Sequence, residues 1–345
     1  MQDHHSDEKQ ERLKEKLRDE LGPMICGLLD ETNTGQSSGI EDILVNEDCR
    51  IWVKRTGSAF EHVGELDSRQ SRGAMMTIAS MQKTTVTESK PVLESQLPIW
   101  KYRFAGLIEP VVVSPSFAIR VKSDKKRSLR DLQRQGILTT KDDPRNRRSE
   151  QEDFIDAVRG HDHLEVIQQA IVAHKNILVV GGTGAGKTTI ANAILEEIGM
   201  LTPGDRVLVI EDTQELLLDS ANRLRMLATT EFDQLKCLKV ALRLKPDRIV
   251  VGEVRDGAAA LPLLKSWNTG HPGGVSTLHA NSAAEALDRL EALVREATDA
   301  PQQRMIGSAV DLVISIVNDP IQGRKVQEVA VVNGYENGRY LLTQV

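Results

Sequence analysis

Gly181-Gly182-Thr183-Gly184-Ala185-Gly186-Lys187-Thr188 is the stretch on which the reading of this chain turns. It matches G-x-x-x-x-G-K-[ST] in full, with an apolar strand pattern ending at it (residues 176–181) and a helical pattern following (187–198). That strand–turn–helix setting separates a phosphate-binding loop from a chance glycine-rich turn. Glycines let backbone N–H groups curl around a phosphate without Cβ clashes, and the helix N-terminus adds partial positive charge. Lys187 is expected to reach the β- and γ-phosphates of ATP, and the Thr188 hydroxyl to ligate Mg²⁺. Gly182, Thr183, Gly184, Ala185, Gly186, Lys187, Thr188 and Thr189 are the predicted nucleotide-binding residues.

Outward from this loop, strands and helices alternate. Strand patterns at 206–212, 248–252 and 275–278 are separated by helical patterns at 234–244 and 258–267, and further strands follow a helix at 283–297. Such alternation implies a mostly parallel sheet covered on both faces. The C-terminal ends of parallel strands gather at one edge, beside the phosphate loop. Two strands end there in acids: Val209-Ile210 runs into Glu211 and Asp212, and Val251-Gly252 into Glu253. One carboxylate orients or deprotonates the attacking water and the other holds the metal. The residues do not divide these roles, although Glu253 is favoured as the base, and Thr188, Glu211 and Glu253 are all candidate Mg²⁺ ligands. The string Thr269-Gly270-His271-Pro272-Gly273-Gly274-Val275-Ser276-Thr277-Leu278-His279-Ala280 suits a polar sensor loop contacting the nucleotide, with no third ligand nearby for a zinc site. Phosphoryl transfer also benefits from a cation aimed at the γ-phosphate, often from a neighbouring subunit. Arg120, Arg223, Arg225, Arg243 and Arg255 are candidates, with Arg120 and Arg255 singled out by their strand-end positions.

The rest of the chain is quieter. Residues 8–29 read as a helix with Leu13, Leu17 and Leu21 on one stripe, and 32–39 as a flexible connector. Between 40 and 121 lie short strand-like runs, Ile51-Trp52-Val53, Val111-Val112-Val113 and 117–121, with a helix near 69–82. A basic and polar stretch follows, containing Lys125-Lys126-Arg127, a short helix at 129–135, and Arg145-Asn146-Arg147-Arg148. The expected organisation is an N-terminal helix and connector (1–39), a small α+β domain (40–122), a linker (123–149) and a RecA-like α/β domain (150–345). With 345 residues, both domains can bury a core. A net charge of −6 and 3% aromatics argue against a nucleic-acid stacking platform. Three scattered cysteines fit a reducing cytosol, and the acidic start does not resemble a signal peptide. No apolar run approaches the ~20 residues of a membrane span, so any membrane association is expected to be peripheral.

Four boxes in this order resemble the secretion ATPase family that serves type II and type IV secretion and pilus machines. They are the phosphate loop (181–189), the acidic box Ile-Glu-Asp-Thr-Gln-Glu-Leu (210–216), the second acidic box (242–255) and the histidine box (270–280). Lys265-Ser266-Trp267-Asn268-Thr269-Gly270-His271-Pro272-Gly273-Gly274 is most similar to the TrbB branch of conjugal-transfer ATPases. Pro115-Ser116-Phe117-Ala118-Ile119-Arg120 resembles the strand that delivers an arginine to the nucleotide. The resemblance implies a hexameric ring, ATP held between the two domains, and catalytic roles for Lys187, Glu211, Glu253, His279 and Arg120. It also implies a cytoplasmic protein attached to the inner face of the bacterial inner membrane through other machine components, with no sequence-specific nucleic-acid binding. A RecA-like nucleic-acid-dependent ATPase (helicase or recombinase) is the competing reading, and ATPase stimulation by single-stranded DNA would favour it.

Overall fold

The computed structural model describes residues 2–33, 39–122, 128–140 and 147–345. Most of the expected connector and the basic runs at 125–127 and 145–146 lie outside the described residues. In the first part of the chain, Ile43-Leu44-Val45, Ile51-Trp52-Val53 and Phe117-Ala118-Ile119 alternate between the two faces of a sheet, and both faces are covered. Strands β1 (Ile40–Val45), β2 (Arg50–Arg55), β3 (Phe60–Glu65), β4 (Val92–Gln96), β5 (Arg103–Leu107) and β6 (Ser116–Arg120) form an antiparallel sheet in the order β3-β2-β1-β6-β5-β4. Ile43, Val45, Phe117 and Ile119 pack with Leu17, Leu21 and Ile25 of α1 (Gln2–Asn33) and with Met75 and Ile78 of α2 (Ser68–Met81). Helix α1 changes direction at Gly22, with φ 72°, just before Pro23. The alternate residues Leu44, Trp52, Ala105 and Ala118 join the core of the second domain.

A short helix, α3 (Leu129–Arg134), capped by Ser128, lies between the two sheets in sequence. The second domain then runs α4 (Arg147–Val158), α5 (His163–Val172), β7 (Ile177–Gly181), α6 (Lys187–Leu201), β8 (Arg206–Glu211) and β9 (Asn222–Leu227). It continues with α7 (Gln234–Ala241), β10 (Arg248–Val251), α8 (Gly257–Asn268), β11 (Val275–Leu278), α9 (Ala283–Ala297) and α10 (Gln303–Ala309). It closes on β12 (Leu312–Asp319), β13 (Gly323–Glu336) and β14 (Arg339–Gln344). The sheet order is β14-β13-β12-β7-β11-β10-β8-β9, parallel from β12 to β9, with β13 and β14 antiparallel at one edge. Every residue of β7, β8 and β10 is buried. Their unbroken apolar runs are what a sheet covered on both faces requires. Ile177, Val179, Val207 and Val209 face α4, α5 and α6, while Leu178, Val180, Leu208 and Ile210 face α7 to α10.

Three differences from the sequence reading have physical causes. Val111-Val112-Val113 is no strand. Pro110 and Pro115 bracket it, and a proline carries no N–H for a ladder. Val111 and Val112 are buried at the seam between the domains, and Leu227 N donates to the Val111 carbonyl at 2.7 Å. Strand β9, which the sequence reading lacked, alternates buried Leu224 and Met226 with half-exposed Arg223 and Arg225. Arginines between apolar residues hid its period. Helices α4, α5 and α10 likewise fell in segments to which the sequence reading assigned no element.

The seam carries buried charge as well as apolar residues. Arg206 is fully buried at the start of β8 and donates to Asn46 Oδ1 at 2.6 Å, Asn222 Oδ1 at 2.5 Å and the Leu244 carbonyl at 2.9 Å. Asn46 Nδ2 in turn donates to Asn222 Oδ1 at 2.9 Å. Burial draws the guanidinium's pKa down, while Asp247 and Asp42 pull it back up. A buried cation that loses an acceptor keeps its desolvation cost. Asn46→Ala is therefore expected to destabilise the protein by about 3 kcal/mol in urea unfolding. A change of under ~0.5 kcal/mol would mean that Asn46 contributes nothing to holding the first domain in place.

Candidate active site

Gly186 closes the loop in a left-handed conformation (φ 106°), and α6 starts at Lys187 with no side chain capping it. Its first N–H groups therefore point outward unpaired, as an anion site requires. The loop opens on a cavity of about 410 Å³. Thr183, Gly184, Gly186, Lys187, Thr188 and Thr189 line it. Gly182 and Ala185 are not among these lining residues: Ala185 is buried, and the Gly182 carbonyl accepts from Lys187 Nζ at 3.1 Å. Lys187 Nζ also donates to the Gly181 carbonyl at 3.1 Å. The lysine is largely buried, and burial lowers its pKa while Glu253 opposes the fall.

Glu253 and His279 meet because their strands are clamped together. Thr277 Oγ1 donates to the Gly252 carbonyl at 2.8 Å, and Val254 N donates to the Thr277 carbonyl at 3.0 Å. His279 Nε2 then lies 2.8 Å from Glu253 Oε1, and its Nδ1 3.4 Å from Lys187 Nζ. An ammonium only donates, so Nδ1 is the acceptor and Nε2–H donates to Glu253. The other Glu253 oxygen accepts from Arg255 Nε, and Arg255 Nη1 donates to Asp212 Oδ2 at 3.3 Å.

Glu211 lines the same cavity with a different occupation. Its Oε1 accepts from Glu215 N at 3.0 Å and Leu216 N at 2.8 Å, fixing the loop after β8. Burial raises its pKa, and those two N–H groups partly offset the rise. The loop so fixed brings Glu215 to the phosphate loop, where Thr188 Oγ1 donates to Glu215 Oε2 at 3.4 Å. Glu215 is thus the carboxylate beside Thr188, a residue absent from the candidate metal ligands Thr188, Glu211 and Glu253. Its only signal was membership of the acidic box. Among the described residues no three His, Cys, Asp or Glu side chains form a metal cage. Mg²⁺ needs none, since it takes one or two protein oxygens and fills the rest with phosphate and water. Thr188 and Glu215 fit that requirement.

The histidine box divides into two. β11 runs between its histidines, so His279 reaches the cavity while His271 stays at the far end of the strand. There His271 Nδ1 lies 3.0 Å from the Pro246 carbonyl, and Gly274 N donates to Asn176 Oδ1 at 3.1 Å. The expected sensor loop is corrected accordingly: Thr277 and His279 face the cavity, and the residues from 269 to 274 hold the sheet's opposite end.

The arginines also separate. Arg255 lines the cavity; Arg223 and Arg225 sit on β9 and donate to the Ser220 and Leu218 carbonyls; Arg243 pairs with Glu94. Arg120 lies with Arg103 and Arg243 around a separate cavity, between β5, β6 and the end of α7. Among the described residues, those that line the phosphate-loop cavity all belong to the second domain. Sequence reasoning missed Gln234 and Arg324, which also line it, because neither falls in one of the four boxes.

Sheet order and cavity together define a class: the RecA-like P-loop fold, preceded by a small α+β domain. Residues 36–331 match the family described as "Type II/IV secretion system protein", and the chain belongs to that family. It is 39% identical over 95% of its length to a probable conjugal transfer protein TrbB of Sinorhizobium fredii, covering 92% of that protein. With the type IV secretion system protein VirB11 of Bartonella henselae, identity is 31%, covering 90% of this chain and 92% of that one. The crystal structure of the VirB11 ATPase from the Brucella suis type IV secretion system, in complex with sulphate, superposes with a TM-score of 0.81 at 25% identity. That match covers 94% of this chain and 96% of that one.

The structural part of the histidine box makes its own forecast. A Cβ at Gly274 would stand 2.0 Å from Trp267 Nε1 and 2.5 Å from the Ile249 carbonyl. Gly274→Ala is expected to cost about 3 kcal/mol or more in thermal or urea unfolding. Unchanged stability would contradict the packing of Trp267 beneath β11.

Proposed function

We propose that this protein is the ATP-hydrolysing motor of a bacterial type IV secretion or conjugal-transfer system. It works as a ring of identical subunits, a hexamer, that couples hydrolysis to pilus assembly or substrate transfer. The observation that carries the reading is the convergence of Lys187, Glu253 and His279 on one cavity, at the ends of adjacent strands, in a chain whose relatives serve such machines. The described residues include no helix long and apolar enough to cross a membrane. The ring is accordingly proposed to sit in the cytoplasm, held at the inner membrane by other components of the machine. Residues 40–122 and 150–345 are its two domains, with 1–39 and 123–149 as helix-bearing extensions.

In the proposed reaction the phosphate loop takes the β-phosphate on its N–H groups, and Lys187 moves from its own loop carbonyls to the γ-phosphate. Thr188, with Glu215 or Glu211, would hold Mg²⁺, which would supply positive charge to the phosphate oxygens. Glu253 accepts a proton from water as the water oxygen attacks the γ-phosphorus and the bond to the ADP oxygen breaks. His279, donating to Glu253 and accepting from Lys187, keeps base and cation in register. Arg120 is proposed to complete the γ-phosphate's cation set in the cavity of a neighbouring subunit, since within one chain it lies elsewhere.

Lys187→Ala is expected to abolish phosphate release. Glu253→Gln should retain ATP binding while turnover falls ~100-fold or more. Turnover within ~3-fold of wild type in Glu253→Gln would exclude it as the base. Arg120→Ala and Lys187→Ala subunits, each inactive alone, should recover part of the activity when mixed before ring assembly. An arginine acting within its own subunit would give no recovery.

A further inference from the structure

Arg324 lines the cavity, and the reaction above leaves it without a task. It stands near the start of β13, opposite Asn318 of β12, and β12 lies directly beside the phosphate-loop strand β7. Its side chain turns back over the loop: a Cβ added to Gly186 would meet Arg324 Cδ at 3.0 Å and Nε at 3.4 Å. Gly186, lacking a side chain, lets the arginine stem rest on the loop backbone. Among the described residues the guanidinium makes no hydrogen bond and no ion pair. The acid nearest in the same hairpin, Asp319, is committed to the turn, accepting from Ile321 N and Gln322 N at 2.8 Å each. A solvated arginine at a hairpin tip needs no explanation. One that lies across the phosphate loop and lines its cavity does.

Strand order says which end of the nucleotide it meets. Glu253 and His279 follow β10 and β11, on one side of β7, and Lys187 Nζ leans to that side, 3.4 Å from His279. The γ-phosphate therefore lies toward β11. With the β-phosphate fixed at the loop, the nucleoside end leaves toward the other flank, where β12 and β13 stand. A guanidinium offers this end two modes at once, N–H donors for the ribose hydroxyls and a flat face for the base. We infer that Arg324 is a positioning residue for the nucleoside end of ATP, setting nucleotide affinity while leaving the reacting γ-phosphate to Lys187, Glu253 and His279. This inference rests on the ATPase reading.

The test compares wild type with Arg324→Ala and Arg324→Lys, measuring kcat and KM for Mg-ATP, Kd for ADP, and inhibition by inorganic tripolyphosphate. Arg324→Ala should raise KM for ATP and Kd for ADP about 10-fold, with kcat within about 2-fold of wild type. Tripolyphosphate, which has no nucleoside, should inhibit both proteins alike. Lysine, which keeps the charge but not the planar fork, should recover only part of the affinity. Loss of kcat at unchanged KM would overturn the assignment in favour of the γ-phosphate. Equal weakening of ATP and tripolyphosphate would reduce Arg324 to a general attraction for anions, and unchanged constants would remove it from the site. A wild-type protein that binds no ATP would sink the ATPase reading itself, whereas wild-type binding with no effect in Arg324→Ala sinks only this inference.

Discussion

Strand β7 is hydrogen-bonded on both sides along its length, with Ile177 to Val180 paired to β11 and Ile177 to Gly181 paired to β12. The phosphate loop and its immediate flanks are placed by that double pairing. The loop after β7 emerges between two neighbours whose ends carry different side chains: His279 just past β11 on one side, the β12–β13 hairpin with Arg324 on the other. The fit is close. At Gly181 an added Cβ would come within 2.4 Å of the Ile316 carbonyl, so this strand end tolerates no side chain. Long buried strands and helices on both faces supply the apolar burial that makes such a placement rigid. Rigidity here is functional, because a carboxylate a single ångström out of place loses much of its value to catalysis.

The second constraint is the burial of the first sheet on both faces. One face packs on α1 and α2 and the other on the second domain, so its strands show apolar runs where a half-exposed sheet would alternate. The fully buried Arg206, shared through Asn46 and Asn222, fixes where the two domains meet. The meeting place is the β9 edge of the large sheet, several strands away from the phosphate loop. For that reason Arg120 and its neighbour Arg103 gather around a cavity of their own. The proposal that Arg120 completes the site of a neighbouring subunit makes turnover depend on how subunits meet, as a motor that converts hydrolysis into subunit movement requires.

The parts of this architecture legible in the sequence are those that local physics decides. The phosphate loop could be read because glycine conformations, a strand end and a helix start are all contained within a few residues. β10, β11 and α9 could be read because their apolar periods are uninterrupted. What escaped depends on strand order, which no local pattern encodes. Strand β9 was hidden by arginines alternating with Leu224 and Met226. Val111 and Val112 looked like a strand because they are buried, although their burial comes from a domain seam. Glu211 and Glu215 stand in one acidic box, and only the fold reveals that Glu211 Oε1 is used by the backbone while Glu215 reaches Thr188. His271 and His279 shared a motif, yet a strand separates them. Arg324 carried no signal at all, since its place over Gly186 follows from the β12–β7 pairing.

These chains are proposed to act together as an ATP-driven ring. The most direct measurement is the native mass of the purified protein with and without Mg-ATP, with phosphate release followed in the same samples, in the presence and absence of single-stranded DNA. A closed assembly of six that releases phosphate at a rate DNA does not change is the result expected here. A protein that stays monomeric while hydrolysing ATP, or that hydrolyses only when DNA is added, is not a ring motor of this kind.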